Sequence, residues 1–175
     1  MHTSDMRMVR LDQDYRFKPF DCGIHDLNEF LRYDSKDYLS KRLAVTYVLE
    51  TSDEIVAYFS LANDKVSILD SNKSVWRRIK KLFPHRKHRN DYPAVKIGRL
   101  AVNVKYQNSF VGSQLMNFIK AMFLTRNRAG CAFITVDALL DAVPFYLKND
   151  FKFLKSADPN IENSTAQLYF DLNSL

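Results

Sequence analysis

The feature that most constrains this chain is a single run: an apolar, strand-like stretch from Val95 to Val104 leads through a short loop, Tyr106 to Gly112, straight into a helical stripe. In that stripe Leu115, Phe118, Ile119, Met122 and Phe123 recur at i, i+3, i+4, i+7 and i+8, the spacing of one buried helix face. Gly130 reads as the breaker that ends this helix. Phe133 to Val136 then reads as a short buried strand, after which Asp141 and Pro144 open another helix in its first turn. Strand, loop, helix, strand, helix is the order of an α/β or α+β domain.

The flanks extend the same pattern. Met8 to Leu11 is extended, and Asp26 with Glu29 resembles a capping box ahead of a helix that runs to about Arg42. Leu27, Phe30, Leu31, Tyr38 and Leu39 share one face of that helix. Val45 to Glu50 and Ile55 to Leu61 are rich in β-branched and aromatic residues, and the polar Thr51-Ser52-Asp53-Glu54 between them predicts a hairpin turn. Lys152 to Lys155 and Gln167 to Leu172 are two further strand candidates, joined through Pro159-Asn160. No repeat and no Gly/Ser or Pro linker divides the 175 residues, so residues 1–175 are expected to form one domain.

Composition excludes several classes. With 46% hydrophobic and 26% charged residues and only four glycines, the chain is neither collagenous nor disordered. Cys22 and Cys131 stand far apart without metal spacing, which predicts reduced thiols and no zinc. His25, His85 and His88 are candidate bases by residue type only. The start has no apolar stretch of signal-peptide type and no long apolar run follows, so a cytoplasmic location is expected.

The net charge of +6 is concentrated between Trp76 and Arg89, where Arg77, Arg78, Lys80, Lys81, Arg86, Lys87 and Arg89 occur with no acidic residue. Two readings of this stretch stay open. It could bind a nucleic-acid backbone, with Trp76 and Phe83 beside the cations. It could equally be a short helix with a solvated basic face and Trp76, Ile79 and Phe83 turned inward.

The loop after the Val95 strand has a physical use of its own, because the N–H groups that open a helix have no intrahelical partner and suit a phosphate. In this context RLAVNVKYQNSFVGSQLM resembles the acetyl-CoA segment of the GCN5-related N-acetyltransferase (GNAT) family, with Gln107 and Gly112 at two anchor positions of its Q/R-x-x-G-x-G/A pattern. DALLDAVPFYLKNDFKFL resembles the closing helix and strand of that family. FDCGIHDLNEFLRYDSKDYLSKRLAVTYVLE resembles the first helix and hairpin of its toxin-like branch, which acetylates aminoacyl-tRNA, often beside an antitoxin.

The resemblance implies the GNAT fold, a single mixed, mostly antiparallel central sheet flanked by helices. It also implies acetyl-CoA as cofactor. Leu100, Ala101 and Val102 would serve the pantetheine arm, and Gln107, Asn108, Ser109, Phe110, Val111, Gly112 and Ser113 the pyrophosphate. Tyr146 would be the proton donor to the departing thiolate, and no metal is implied. The acceptor would be a primary amine, with the α-amino group of aminoacyl-tRNA foremost and small-molecule or protein amines as alternatives. An antitoxin protein and a second copy of the chain are the further expected partners. The sequence departs from the pattern at Phe110, which occupies the first glycine position, and at Asn108. Asn108 enters the left-handed backbone region at modest cost, whereas Phe110 does not. Either Phe110 turns its ring into the core and still offers its N–H to phosphate, or the loop has lost the cofactor and the protein is an RNA- or partner-binding module.

Overall fold

The computed structural model describes residues 6–83, 89–125, 127, 129–155 and 165–175. Seven strands form one mostly antiparallel sheet: β1 (Arg7–Arg10), β2 (Val45–Glu50), β3 (Ile55–Ser67), β4 (Asp91–Val102), β5 (Phe133–Leu139), β6 (Lys152–Lys155) and β7 (Thr165–Asp171). Their hydrogen-bonded order is β1-β2-β3-β4-β5-β7-β6. The helices are α1 (His25–Glu29), α2 (Ser35–Ser40), α3 (Lys73–Lys80), α4 (Val111–Met122) and α5 (Val143–Lys148). The predicted hairpin is present, with Val45 opposite Leu61 and Glu50 opposite Ile55. Asp137 of β5 lies opposite Gln167 of β7.

By contact the chain forms two compact units, one of residues 1–62 with 97–118 and one of residues 63–96 with 119–175. In the first, Phe30, Leu31, Val48, Tyr58 and Ala101 are buried together, with Leu27, Tyr38 and Leu39 packed around them. The sequence stripe of the first helix is thus its core face. That helix starts differently from expectation, since Ile24 occupies the cap and no side chain caps it, so Asp26 and Glu29 form no capping box. Asp21 and Asn28 order the entrance instead. Asn28 Oδ1 accepts the Cys22 N–H at 3.0 Å, and Asp21 Oδ1 accepts the Gly23 N–H and Asn28 Nδ2, each at 2.8 Å. Those bonds hold the Asp21 carboxyl below its ordinary pKa. A π-helical turn, Phe30–Asp34, joins α1 to α2.

Glu50 is the most heavily engaged acid of this unit. It is 1% exposed and accepts from Arg7 (2.8 and 3.0 Å), Lys18 (3.1 Å) and the Tyr15 hydroxyl. Burial alone would raise its pKa, but those donors outweigh it and hold the carboxyl below the usual range. Glu50 thereby ties β1 and the Tyr15–Lys18 stretch to the end of β2.

In the second unit α3 lays Val75, Trp76 and Ile79 over Val66, Tyr92, Ala94, Phe133 and Tyr169, with Phe83 half-buried against them. Each fully buried aromatic or aliphatic side chain here contributes about 1.5–3 kcal/mol. Helix α4 stops at Met122, where Phe123 and Leu124 donate to the carbonyls three residues back at 3.2 and 3.3 Å. This tightened last turn, rather than Gly130, ends the helix. Among the described residues no helix is long and apolar enough to cross a membrane. Cys22 and Cys131 are both free thiols.

Candidate active site

The loop between β4 and α4 is held from below by hydrogen bonds to the start of β3. Asn103, 3% exposed, donates from Nδ2 to the Ile55 carbonyl at 3.0 Å and accepts the Lys105 N–H at 3.1 Å. Its own N–H donates to the Val56 carbonyl at 2.9 Å. A 3₁₀ turn, Val104–Tyr106, follows. Glu54 grips that turn twice, accepting from Lys105 Nζ at 2.6 Å and from the Tyr106 hydroxyl at 2.9 Å. Lys105 is the first cause that holds the Glu54 carboxyl below its ordinary pKa, and Glu54 in turn raises both Lys105 and the Tyr106 phenol.

Gln107 spends its carboxamide on the chain itself: Nε2 donates to the Cys22 carbonyl at 3.0 Å and to the Val102 carbonyl at 2.9 Å. The Ser109 hydroxyl donates back to the Tyr106 carbonyl. Asn108 and Phe110 both adopt positive φ, 60° and 65°. Phe110 is 72% exposed, so the alternative in which its ring turns into the core does not hold: the residue takes the glycine conformation and its side chain stays out of the core. The physical reason lies in the register. The Phe110 carbonyl accepts the Gln114 N–H at 3.0 Å as the first bond of α4, which fixes Phe110 at the helix entrance, while Val111 and Leu115 take the buried positions.

Val111, Gly112 and Ser113 open a 12-residue helix, and their N–H groups have no intrahelical acceptor. The segment Asn103 to Leu115 carries no acidic side chain. An exposed loop with positive-φ turns, helix-opening amides and no negative charge fits a diphosphate group. Of the β4 residues expected beside it, Ala101 is buried, Leu100 and Val102 are half-buried, and the Val102 carbonyl is already engaged by Gln107. Arg99 stacks over the Phe30 ring at 4.4 Å.

Tyr146 stands in different surroundings. It is 6% exposed on α5, edge-on to the Phe145 ring at 5.1 Å and to the Phe151 ring at 5.4 Å. Burial alone raises its phenol well above the ordinary value. Among the described residues nothing hydrogen-bonds its hydroxyl, whereas its carbonyl accepts from Asn149 at 3.0 Å and Phe151 at 3.1 Å. Lys120, which the sequence reading passed over, is 6% exposed and donates to the Asn149 carbonyl at 2.8 Å, with its ammonium 4.0 Å from the Phe170 ring centre. Desolvation lowers its pKa, opposed by Asp150 at 3.6 Å. Lys120 thus secures the end of the helix that carries Tyr146. A lone Lys inside an apolar stripe was the available signal.

Helix α3 meets both readings of the basic stretch in part. Trp76 and Ile79 are buried, so Trp76 is not presented to a nucleic acid, while Arg77, Arg78, Lys81 and Arg89 are exposed and Lys80 is half-buried. Arg86, Lys87, His85 and His88 lie outside the described residues. His25 is exposed at the first position of α1.

A family model described as an acetyltransferase (GNAT) domain matches residues 21–164. Among solved structures, a tyrosine-to-phenylalanine mutant of KacT is 22% identical, over 97% of this chain and 96% of that one, with a TM-score of 0.77. AtaT complexed with acetyl-methionyl-tRNAfMet is 24% identical over 97% and 96%, with a TM-score of 0.74. AtaTR bound with AcCoA is 24% identical over 97% and 95%, with a TM-score of 0.70. At these identities the structural likeness establishes the shared fold.

Proposed function

The chain belongs to the GNAT acetyltransferase family, whose acetyl donor is acetyl-CoA, and from that premise we propose that its acceptor is the α-amino group of an aminoacyl-tRNA. The observation that carries the site reading is the β4–α4 loop. Asn108 and Phe110 take positive φ directly before the unpaired amides of α4, and the Phe110 ring lies outside the core. In this proposal the amides of Val111, Gly112 and Ser113 hold the diphosphate, Asn103 and Gln107 fix the loop, and Leu100 to Val102 line the arm of the cofactor.

Acetyl-CoA supplies an activated thioester when bound. The protein's part is to position the amine and to meet charge that develops on oxygen and sulfur. Tyr146 keeps its proton throughout the neutral range, because burial raises its phenol. It serves as a hydrogen-bond donor to sulfur as the thiolate departs, and the same shift disqualifies it as a base.

Two things favour the aminoacyl-tRNA acceptor over small-molecule or protein amines. AtaT, a relative of the same fold, forms a complex with acetyl-methionyl-tRNAfMet. The outward cations of α3, Arg77, Arg78 and Lys81 with Arg89 beyond, suit a polyanionic acceptor. An antitoxin partner is proposed on the same footing, since AtaT has been seen bound to the C-terminus of its antitoxin AtaR. The test has two stages. Calorimetry is expected to show saturable acetyl-CoA binding, and incubation with labelled acetyl-CoA and charged tRNA to place label on the aminoacyl end. Label on polyamines but on no charged tRNA would overturn the acceptor assignment.

A further inference from the structure

The sheet face that α3 covers continues beyond the helix as a polar cup. Side chains two residues apart on a strand share a face, so each buried residue under α3 predicts another core position one step along. Val66 on β3 leads to Asp64, Ala94 on β4 to Lys96, Phe133 on β5 to Thr135 and then Asp137, and Tyr169 on β7 to Gln167. On all four strands the row changes from apolar to polar along the strand, with Asp137 of β5 opposite Gln167 of β7. A domain that only needed stability would carry aliphatic residues there.

The polar members of this row, with Asp70 and Leu154, line a cavity of about 180 Å³. Part of the lining is held by directed bonds, while Asp70 and Asp137 are exposed. Thr135, 4% exposed, donates its hydroxyl to Asp64, which fixes that carboxylate. Lys96 Nζ pairs with Asp137 at 2.5 Å. Gln167 Oε1 is buried in the wall and has no hydrogen-bond partner among the described residues, an acceptor held ready at a cost of about 1–3 kcal/mol.

The charge inside identifies the ligand class. Three carboxylates, Asp64, Asp70 and Asp137, face one ammonium, Lys96, and Lys96 is already paired with Asp137. The cup therefore repels the phosphates of a cofactor or a nucleic-acid backbone. Among the described residues no such group is gathered tightly enough to hold a metal ion. What remains is an organic group with several N–H donors and positive charge. We propose that the cup formed by Asp64, Asp70, Thr135, Asp137 and Gln167 is the recognition pocket for the amine-bearing end of the acceptor. This deepens the acetyltransferase reading and rests on it: the acceptor's amino group enters as the ammonium form, donating to Asp64, Asp70 and the Gln167 carbonyl, and leaves one proton on a carboxylate of the cup before the neutral amine attacks the thioester.

The full chain is titrated by calorimetry with leucinamide as the amine probe and with N-acetyl-leucinamide as its charge-free counterpart. Saturable binding of the first, at least about tenfold tighter than of the second, is expected. In Asp64→Asn/Asp70→Asn the KM for the acceptor is expected to rise at least about tenfold, with the acetyl-CoA Kd unchanged. Gln167→Leu, which leaves every charge in place, is expected to weaken leucinamide binding in the same direction. Equal binding of the two probes, or an unchanged acceptor KM in the double variant alongside intact transfer, would overturn the pocket. Failure of the acetyltransferase reading shows separately, as absence of acetyl-CoA binding in the wild-type chain, and leaves the leucinamide comparison standing as a test of the cup.

Discussion

The β4–α4 loop and the Tyr146 helix are held by opposite means. The loop lies at the surface and is fixed by directed polar bonds, from Asn103 to Ile55, from Glu54 to Lys105 and Tyr106, and from Gln107 to Cys22 and Val102. Tyr146 is fixed by enclosure between Phe145 and Phe151, with its hydroxyl unbonded among the described residues. Polar bonds specify where a backbone amide sits, while aromatic packing specifies a ring and leaves its polar atom available. A loop assigned to bind charge and a side chain assigned to give a hydrogen bond need those two different kinds of support.

Substitutions can break this contrast from either side. The largest effect is expected at Asn103→Ala, which leaves the Ile55 carbonyl and the Lys105 N–H without their partner and should lower stability by about 2 kcal/mol. Denaturant unfolding measures that loss, and acetyl-CoA calorimetry should show weaker binding with it. If the variant unfolds like the wild type, the loop is not held from β3.

Tyr146→Phe is the converse case. Removing an unbonded hydroxyl should leave the melting temperature and the acetyl-CoA Kd nearly unchanged while kcat falls at least about tenfold, or roughly 1.4 kcal/mol. Unchanged turnover would remove Tyr146 from the chemistry. The smallest effect is expected at Phe110→Gly, where relief of a positive φ should raise stability by about 1 kcal/mol and leave acetyl-CoA binding intact. Thermal unfolding reads it, and a loss of stability would show that the exposed Phe110 side chain contributes more than its backbone costs.

Much of the architecture is legible in the sequence. The stripe of Leu115, Ile119 and Met122 gave α4, the β-branched runs gave the β2–β3 hairpin, and Pro144 marked the start of α5. These are local signals, in which one face of one element is apolar. The misses share a physical cause. Asp26 and Glu29 have capping-box spacing, but Asn28 and Asp21 had already ordered that entrance. Gly130 is a good breaker, yet α4 ends eight residues earlier in a tightened turn. A contact of the same long-range kind is the bond from the Gln107 carboxamide to Cys22, 85 residues away in sequence, which no local signal records.

The chain's residues by themselves determined the element order and the buried faces, because periodicity is a property of neighbours along the chain, and the resemblance of three stretches pointed to an acetyltransferase family. Only the tertiary structure decided that Phe110 occupies a glycine conformation with its ring exposed, that Asn103 and Glu54 brace the loop, and that Asp64, Lys96, Thr135, Asp137 and Gln167 meet in one cup. Those residues come from four different strands. Nothing in their sequence separation records that pairing of the strands brings them to one cavity.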